Sequence, residues 1–278
     1  QNELGQFVKP CHDLKQEDLI LIQKILQGFL RDKVIKPDNV DYLNPFLSSS
    51  WGDRLEVFSV NYDTCVELLC KNHHIELQDG FVPHWDPSVF KEKGKKGVSL
   101  YKLHGSALWY QSEDGWLTKI PIRPTPQDIG QDVTLFDGMP AHPLLLYPGF
   151  KFPGEAPLRE FEVIFKQRLE IMKFLVVIGY SFRDDHLSRL CRDAFNANRG
   201  IQMVIIDPVA RAIHDRLLTI DKTFENSFRG RITCYPFPIE AFLSHFSEHE
   251  FNLMKSGVEE WRNFEKGEAT GRSHSMGS

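Results

Sequence analysis

A chain of 278 residues, 41% hydrophobic and 26% charged, has ordinary globular proportions and is long enough for one large α/β domain or two smaller ones. Its formal net charge of −5 gives no electrostatic reason to expect nucleic acid or an anionic membrane as the main partner. No run approaches the roughly 20 apolar residues of a membrane span. No secretory leader is visible, and the five cysteines, odd in number and without a Cys-x-x-Cys pair, read as free thiols in a reducing, cytoplasmic compartment.

Leu19, Ile22, Ile25, Leu26 and Phe29 recur at helical spacing and predict an amphipathic helix over 18–30. Residues 55–60 form a short β-rich run ending in the turn Asn61-Tyr62-Asp63, and a helix over 64–71 follows, with Asp63 or Thr64 as its cap. Residues 72–98 read as turn-rich and charged, with 91–96 a solvated loop. A strand over 98–103 stops at His104-Gly105. Trp109, Tyr110 and Trp116 suit a short hairpin whose aromatics pack in a core or lid, and Pro121, Pro124, Pro126 and Pro140 mark loop. A strand over 144–147 ends at Pro148-Gly149.

Helices over 161–173, 184–196 and 209–218 then alternate with apolar strands over 174–178, 202–206 and 232–235, and 239–261 reads as helical closure. That alternation predicts an α/β fold: a Rossmann-like, doubly wound, mostly parallel sheet with a small loop-rich or β insertion at about 105–143. Residues 1–266 are expected to form one domain and the Gly/Ser-rich 267–278 a flexible tail. Gln1 is not an initiator methionine, so upstream residues are expected.

Polar residues at strand carboxyl ends carry the chemistry, because that edge is where open α/β sheets bind ligands. A histidine is most often structural, but His104 ends a strand and precedes Gly105, which lets a ligand approach the backbone; its imidazole could take a proton from a sugar hydroxyl. Asn61 offers an amide donor and a carbonyl acceptor for a ribose hydroxyl or a water, and Asp63 could accept from a carboxamide, although both types also favour turns and caps. The turn Gly179-Tyr180-Ser181 could bring N–H groups and a hydroxyl to a phosphate. Asp207 ends a strand where nucleotide folds contact a ribose or adenine edge, or it simply turns the chain before Pro208. In 183–186 the bland reading is an N-cap and a surface ion pair. His73, His74 and His84 lack partners at ligand spacing, so no metal is expected. No Gly-x-Ser-x-Gly elbow and no phosphate-binding Gly-x-x-x-x-Gly-Lys motif is present.

In their order, Asn61-Tyr62-Asp63, Leu103-His104-Gly105, Leu146-Tyr147-Pro148-Gly149 and the stretch Ile178 to His186 resemble the sirtuin superfamily, and more closely its SIR2-like branch found in bacterial antiphage defence. The resemblance covers roughly 55–208 and implies a domain that uses NAD. It implies that Asn61 contacts the nicotinamide ribose and positions water, that Asp63 lies near the carboxamide and that His104 is the catalytic histidine. It further implies that Tyr62, Gly105, Gly179, Tyr180, Ser181 and Asp207 contact the dinucleotide. The zinc-binding cysteine quartet of deacetylase-type sirtuins is missing after His104-Gly105. The implied activity is therefore NAD⁺ hydrolysis, in a homo-oligomer or with a partner defence subunit; the alternatives are an NAD⁺ or ADP-ribose sensor and a zinc-free deacylase. The family's glycine-rich phosphate loop is absent from residues 1–60, so the sequence is expected to begin after it.

Overall fold

Short β-branched and aromatic runs in this chain become strands, and the amphipathic stretches between them become helices, in a mixed α/β architecture with mostly parallel sheets. The computed structural model describes residues 40–45, 54–82, 84–91, 96–112, 115–119, 141–145, 156–219 and 230–245. The helix expected over 18–30, the prolines at 121, 124, 126 and 140, the end of the strand at 146–147 and the stretch 246–261 lie outside the described residues. The chain divides into two compact units, 1–41 with 52–163 and 42–51 with 164–278.

In the first unit, β1 (Arg54–Ser59) leads through the Asn61–Asp63 turn into α1 (Cys65–Asn72). The next segment, read from sequence as loop, contains β2 (Leu77–Gln78) and a 3-10 turn over Pro87–Lys91. Two residues are too short a run to show periodicity. β3 (Gly97–Lys102) pairs parallel with both, giving the order β1-β3-β2, and its register puts Ser59 beside Lys102. A Cβ on Gly97 would lie 2.3 Å from the Glu76 carbonyl oxygen, so only glycine lets the strand start there. β4 (Gly105–Ser112), β5 (Leu117–Lys119) and β6 (Ala141–Leu145) form a separate antiparallel sheet, which is the predicted hairpin with one added strand.

One face of β3 meets an aromatic cluster. Tyr101 stacks on Phe58 and Phe90, with centroids 4.7 and 4.8 Å apart, and meets the edge of Phe161 at the start of α2 (Leu158–Ile171). Trp109 also packs on Phe161, and both are fully buried. Trp116 is different: it is 65% exposed, against the sequence expectation of core or lid packing.

In the second unit, β7 (Phe174–Ile178), β8 (Gln202–Ile206) and β9 (Ile232–Tyr235) form a parallel sheet with β8 central. Val204 and Ile206 pack with Phe242 and Leu243 of α5 (Ile239–His245), while Met203 and Ile205, on the other face, are equally buried. α4 (Ala210–Thr219) covers that second face, where the Cys234 thiol reaches the Ala210 carbonyl at 3.7 Å. Burial on both faces explains why β8 is a continuous apolar run. α3 (Asp185–Ala197) is capped by Asp184, whose carboxylate accepts from the N–H groups of His186 and Leu187. That is the bland role expected for this stretch.

Candidate functional site

Asn61 and His104 each lie two residues past a paired position at the carboxyl ends of β1 and β3, which are neighbouring parallel strands. Adjacent strands run about 4.8 Å apart, so the two turns leave the sheet side by side. The ladder continues beyond the strands proper, with Leu103 N–H donating to the Ser59 carbonyl at 2.8 Å. Gly105, at φ 87, a conformation that favours glycine, then begins β4.

All three carbonyls of the Asn61–Asp63 turn, and the Asn61 N–H, are bonded. Asn61 N–H donates to Ser59 Oγ at 3.2 Å, and the Tyr62 carbonyl accepts from Ala107 N–H at 3.1 Å. Lys102 Nζ donates to the Asn61 carbonyl at 3.3 Å and, more closely, to the Asp63 carbonyl. Asp63 Oδ1 accepts from Cys65 N–H at 3.0 Å and so starts α1, whose formal N-cap Thr64 makes no side-chain cap bond. The turn role of Asp63 is thus present, with Oδ1 engaged and Oδ2 the oxygen that could take a ligand. Asn61 is exposed, and among the described residues nothing bonds its side-chain amide. His104 is half-buried.

Lys102 is the residue that sequence reading passed over. It is 1% exposed, and its ammonium lies 3.7 Å from Glu67 Oε2, on an α1 side chain that is itself 3% exposed. Strand alternation sends Tyr101 into the aromatic cluster and Lys102 to the opposite face, under α1. The available signal was a lysine closing an otherwise apolar strand, two residues before His104.

Cys65 adds no nucleophile. Burial first, then the Asp63 carboxylate, push its thiol up to about 12, so it stays protonated at neutral pH.

The second unit holds the other predicted residues. Gly179 (φ 64) follows β7, its N–H extending the ladder to the Ile206 carbonyl at 3.1 Å, and a Cβ there would meet nothing within 4 Å. Tyr180 packs against Phe182, itself at φ 53, and burial raises the Tyr180 hydroxyl well above its ordinary pKa. Ser181 is half-buried in the same turn. Asp207 Oδ1 accepts from Val209 N–H at 2.8 Å, so this carboxylate makes the turn into α4. The structure therefore joins Asn61, Tyr62, Asp63, His104 and Gly105 in the first unit, and Gly179, Tyr180, Ser181 and Asp207 line strand ends in the second.

Among the described residues, no three of His, Cys, Asp and Glu are grouped to hold a metal. His84 Nδ1 bonds Thr118 Oγ1 and His73 Nε2 bonds Asp41. Cys65, Cys70, Cys191 and Cys234 form no disulfide and lie on α1, α3 and β9. No described helix is long and apolar enough to cross a membrane.

The family model described as a SIR2-like domain matches residues 55–225, more than half of the chain. This chain belongs to the SIR2-like domain family. The match begins at β1 and runs past α4, so it takes in both sets of strand-end turns. A Sir2 homologue with histidine changed to asparagine, solved with ADP-ribose, is similar in fold at 11% identity and TM-score 0.53, over 93% of this chain and 86% of that one. A serine-to-alanine variant with ADP-ribose gives the same values: 11%, 0.53, 93% and 86%. A triple mutant with 2′-O-acetyl ADP-ribose reaches TM-score 0.50 at 12% identity, over 87% and 78%. No curated protein resembles this SIR2-like chain closely enough in sequence to count as a relative.

Proposed function

We propose that this SIR2-like domain is an NAD⁺ glycohydrolase, cleaving the bond between nicotinamide and ribose to deplete NAD⁺ in antiphage defence. The carrying observation is the bonded seam between the Asn61–Asp63 turn and the His104 segment, which leaves the Asn61 amide exposed at the carboxyl edge of a parallel sheet.

In the reaction, the C1′–N bond breaks and its electron pair leaves with neutral nicotinamide. Water adds to the oxocarbenium-like carbon, and its proton passes to a base and then to solvent. Asn61 orients the ribose and the water, His104 takes the proton from the water or a ribose hydroxyl, and Asp63 Oδ2 accepts from the carboxamide. Tyr62 and Gly105 flank this end. Gly179, Tyr180, Ser181 and Asp207 hold the ribose–phosphate and adenosine portions, as the family pattern implies. The leaving group departs uncharged from a cation, so the scheme calls for no metal. In this role the domain works in the cytoplasm, as a homo-oligomer or beside a partner defence subunit.

The test is release of free nicotinamide from NAD⁺ by the full-length protein. His104→Ala and Asn61→Ala should each lower turnover by at least ~10²-fold, the scale of a lost general base or positioning group, with circular dichroism unchanged. Near wild-type turnover in both variants removes the assignment. So does binding of ADP-ribose without nicotinamide release, which selects a sensor, or release only with an acylated peptide, which selects a deacylase.

A further inference from the structure

The lysine in the middle of the first unit needs a reason to be there. Lysine is almost never fully buried unless paired, because its ammonium must give up water. Lys102 is 1% exposed, and a single carboxylate, Glu67, accompanies it at 3.7 Å. Among the described residues that carboxylate oxygen makes no hydrogen bond, so the pair is held by charge rather than by a shared proton. The donors of Lys102 go instead to the carbonyls of Asn61 and Asp63, the two ends of the turn that carries the exposed amide. Lysine is suited to this, because its three donors sit on one compact head and can serve two carbonyls while facing one anion.

We infer that Lys102 is a positioning residue: held by Glu67, its buried ammonium clamps both ends of the Asn61–Asp63 turn to the strand that carries His104, and so fixes the Asn61 amide against the reacting sugar. The inference rests on the hydrolase reading for its catalytic consequence, though not for its structural one. Three bonds, two from Lys102 and one from Ala107 N–H to the Tyr62 carbonyl, tie the turn to the segment on either side of His104. Losing two of them frees the turn while His104 and the β1–β3 ladder stay in place. The loss should therefore appear in the reacting step more than in substrate capture.

The test uses full-length Lys102→Met with NAD⁺. kcat should fall about 10- to 100-fold while KM moves less than about 3-fold, a positioning loss smaller than removal of the base itself. In an Asn61→Ala background the same substitution should lower kcat by less than about 3-fold, because the group it positions is already gone. A general packing role would give equal losses in both backgrounds, and that result overturns the inference. Wild-type kcat in folded Lys102→Met also overturns it. If Lys102→Met does not fold, Glu67→Gln serves in its place, with a kcat loss of about 3- to 10-fold and the same dependence on Asn61; wild-type kcat there overturns the inference. Should the unmodified protein release no nicotinamide, the hydrolase reading fails alone. ADP-ribose affinity then becomes the readout: Lys102→Met weakens it in the Asn61 protein and not in Asn61→Ala, and equal weakening in both refutes the clamp.

Discussion

Dismantling the Glu67–Lys102 pair one half at a time predicts an asymmetry in stability that can be worked from the geometry. Lys102→Met keeps the apolar stem and removes the ammonium, leaving the Glu67 carboxylate, 3% exposed, with no opposite charge. Breaking a buried pair in this way costs about 3–5 kcal/mol, a large part of the 5–15 kcal/mol that holds a typical domain. Lys102→Met combined with Glu67→Met removes both charges and leaves no stranded anion. What remains lost is the donor to the Asp63 carbonyl, about 1–3 kcal/mol if that group stays dry. Asn61 is exposed, so water can replace the ammonium at its carbonyl. The double variant should thus be about 2 kcal/mol more stable than Lys102→Met alone, yet still lack the clamp on the turn. Urea unfolding followed by circular dichroism and by tryptophan fluorescence measures this, provided the two transitions coincide in a chain of two units. A double variant no more stable than the single one would refute the charge argument.

Two further outcomes follow from backbone geometry and from the buried thiols. Gly179→Ala places a Cβ in open space at φ 64, so it should lose about 1–2 kcal/mol from the left-handed backbone alone, and Gly179→Asn less, because asparagine tolerates that region; urea midpoints equal to wild type in both variants would contradict this. Burial raises the thiols of Cys65, Cys70 and Cys191 from 9.0 to about 12, so the folded chain keeps protons that the unfolded chain gives up near the ordinary value. The unfolded state then binds fewer protons, and the thiol contribution is complete below about pH 9 and lost as pH rises towards about 12. A triple Cys→Ala variant should lose less stability than wild type across that window, and parallel declines would sink the assignment.

How much of this was legible in the sequence varies with how local the signal is. β8 could be read because burial on both faces makes it an unbroken apolar run, and β7 and β9, though mostly half-buried, because each is a short β-prone run bounded by turn residues. β2 could not, since Leu77–Gln78 is a strand only because Val98 and Ser99 of β3 pair with it. Trp116 was misjudged for a related reason: hydrophobicity does not say which side of a hairpin meets solvent, and here that side chain is outside while Trp109 is inside. Asn61 and His104 were found because each ends an apolar run. Their adjacency depended on register between segments distant in the chain, which residue spacing does not encode.

Lys102 shows what a strand-end rule omits. Parallel pairing brings two carboxyl ends together, but each turn leaves the sheet on single bonds and can pivot. A ligand-facing amide needs its own carbonyl and its neighbours' carbonyls fixed as well, and in a turn the sheet ladder no longer supplies donors. Here a side chain from the adjacent strand supplies them, and it can only do so from inside, where the turn's carbonyls point. That requires a charged donor in a dry place, which requires an anion nearby; α1, started by Asp63 itself, delivers Glu67 there one helical turn later. The three charged or polar residues Asp63, Glu67 and Lys102 are therefore one device: the carboxylate that begins the helix sets the position of the carboxylate that holds the lysine, and the lysine in turn grips the carbonyl of the residue that began the helix. On this argument Asp63→Ala disturbs the turn twice, by losing Oδ1 at the helix start and by letting Glu67 drift from Lys102. Asp63→Asn keeps an acceptor for Cys65 N–H and should preserve the second link while altering only the group offered to the ligand.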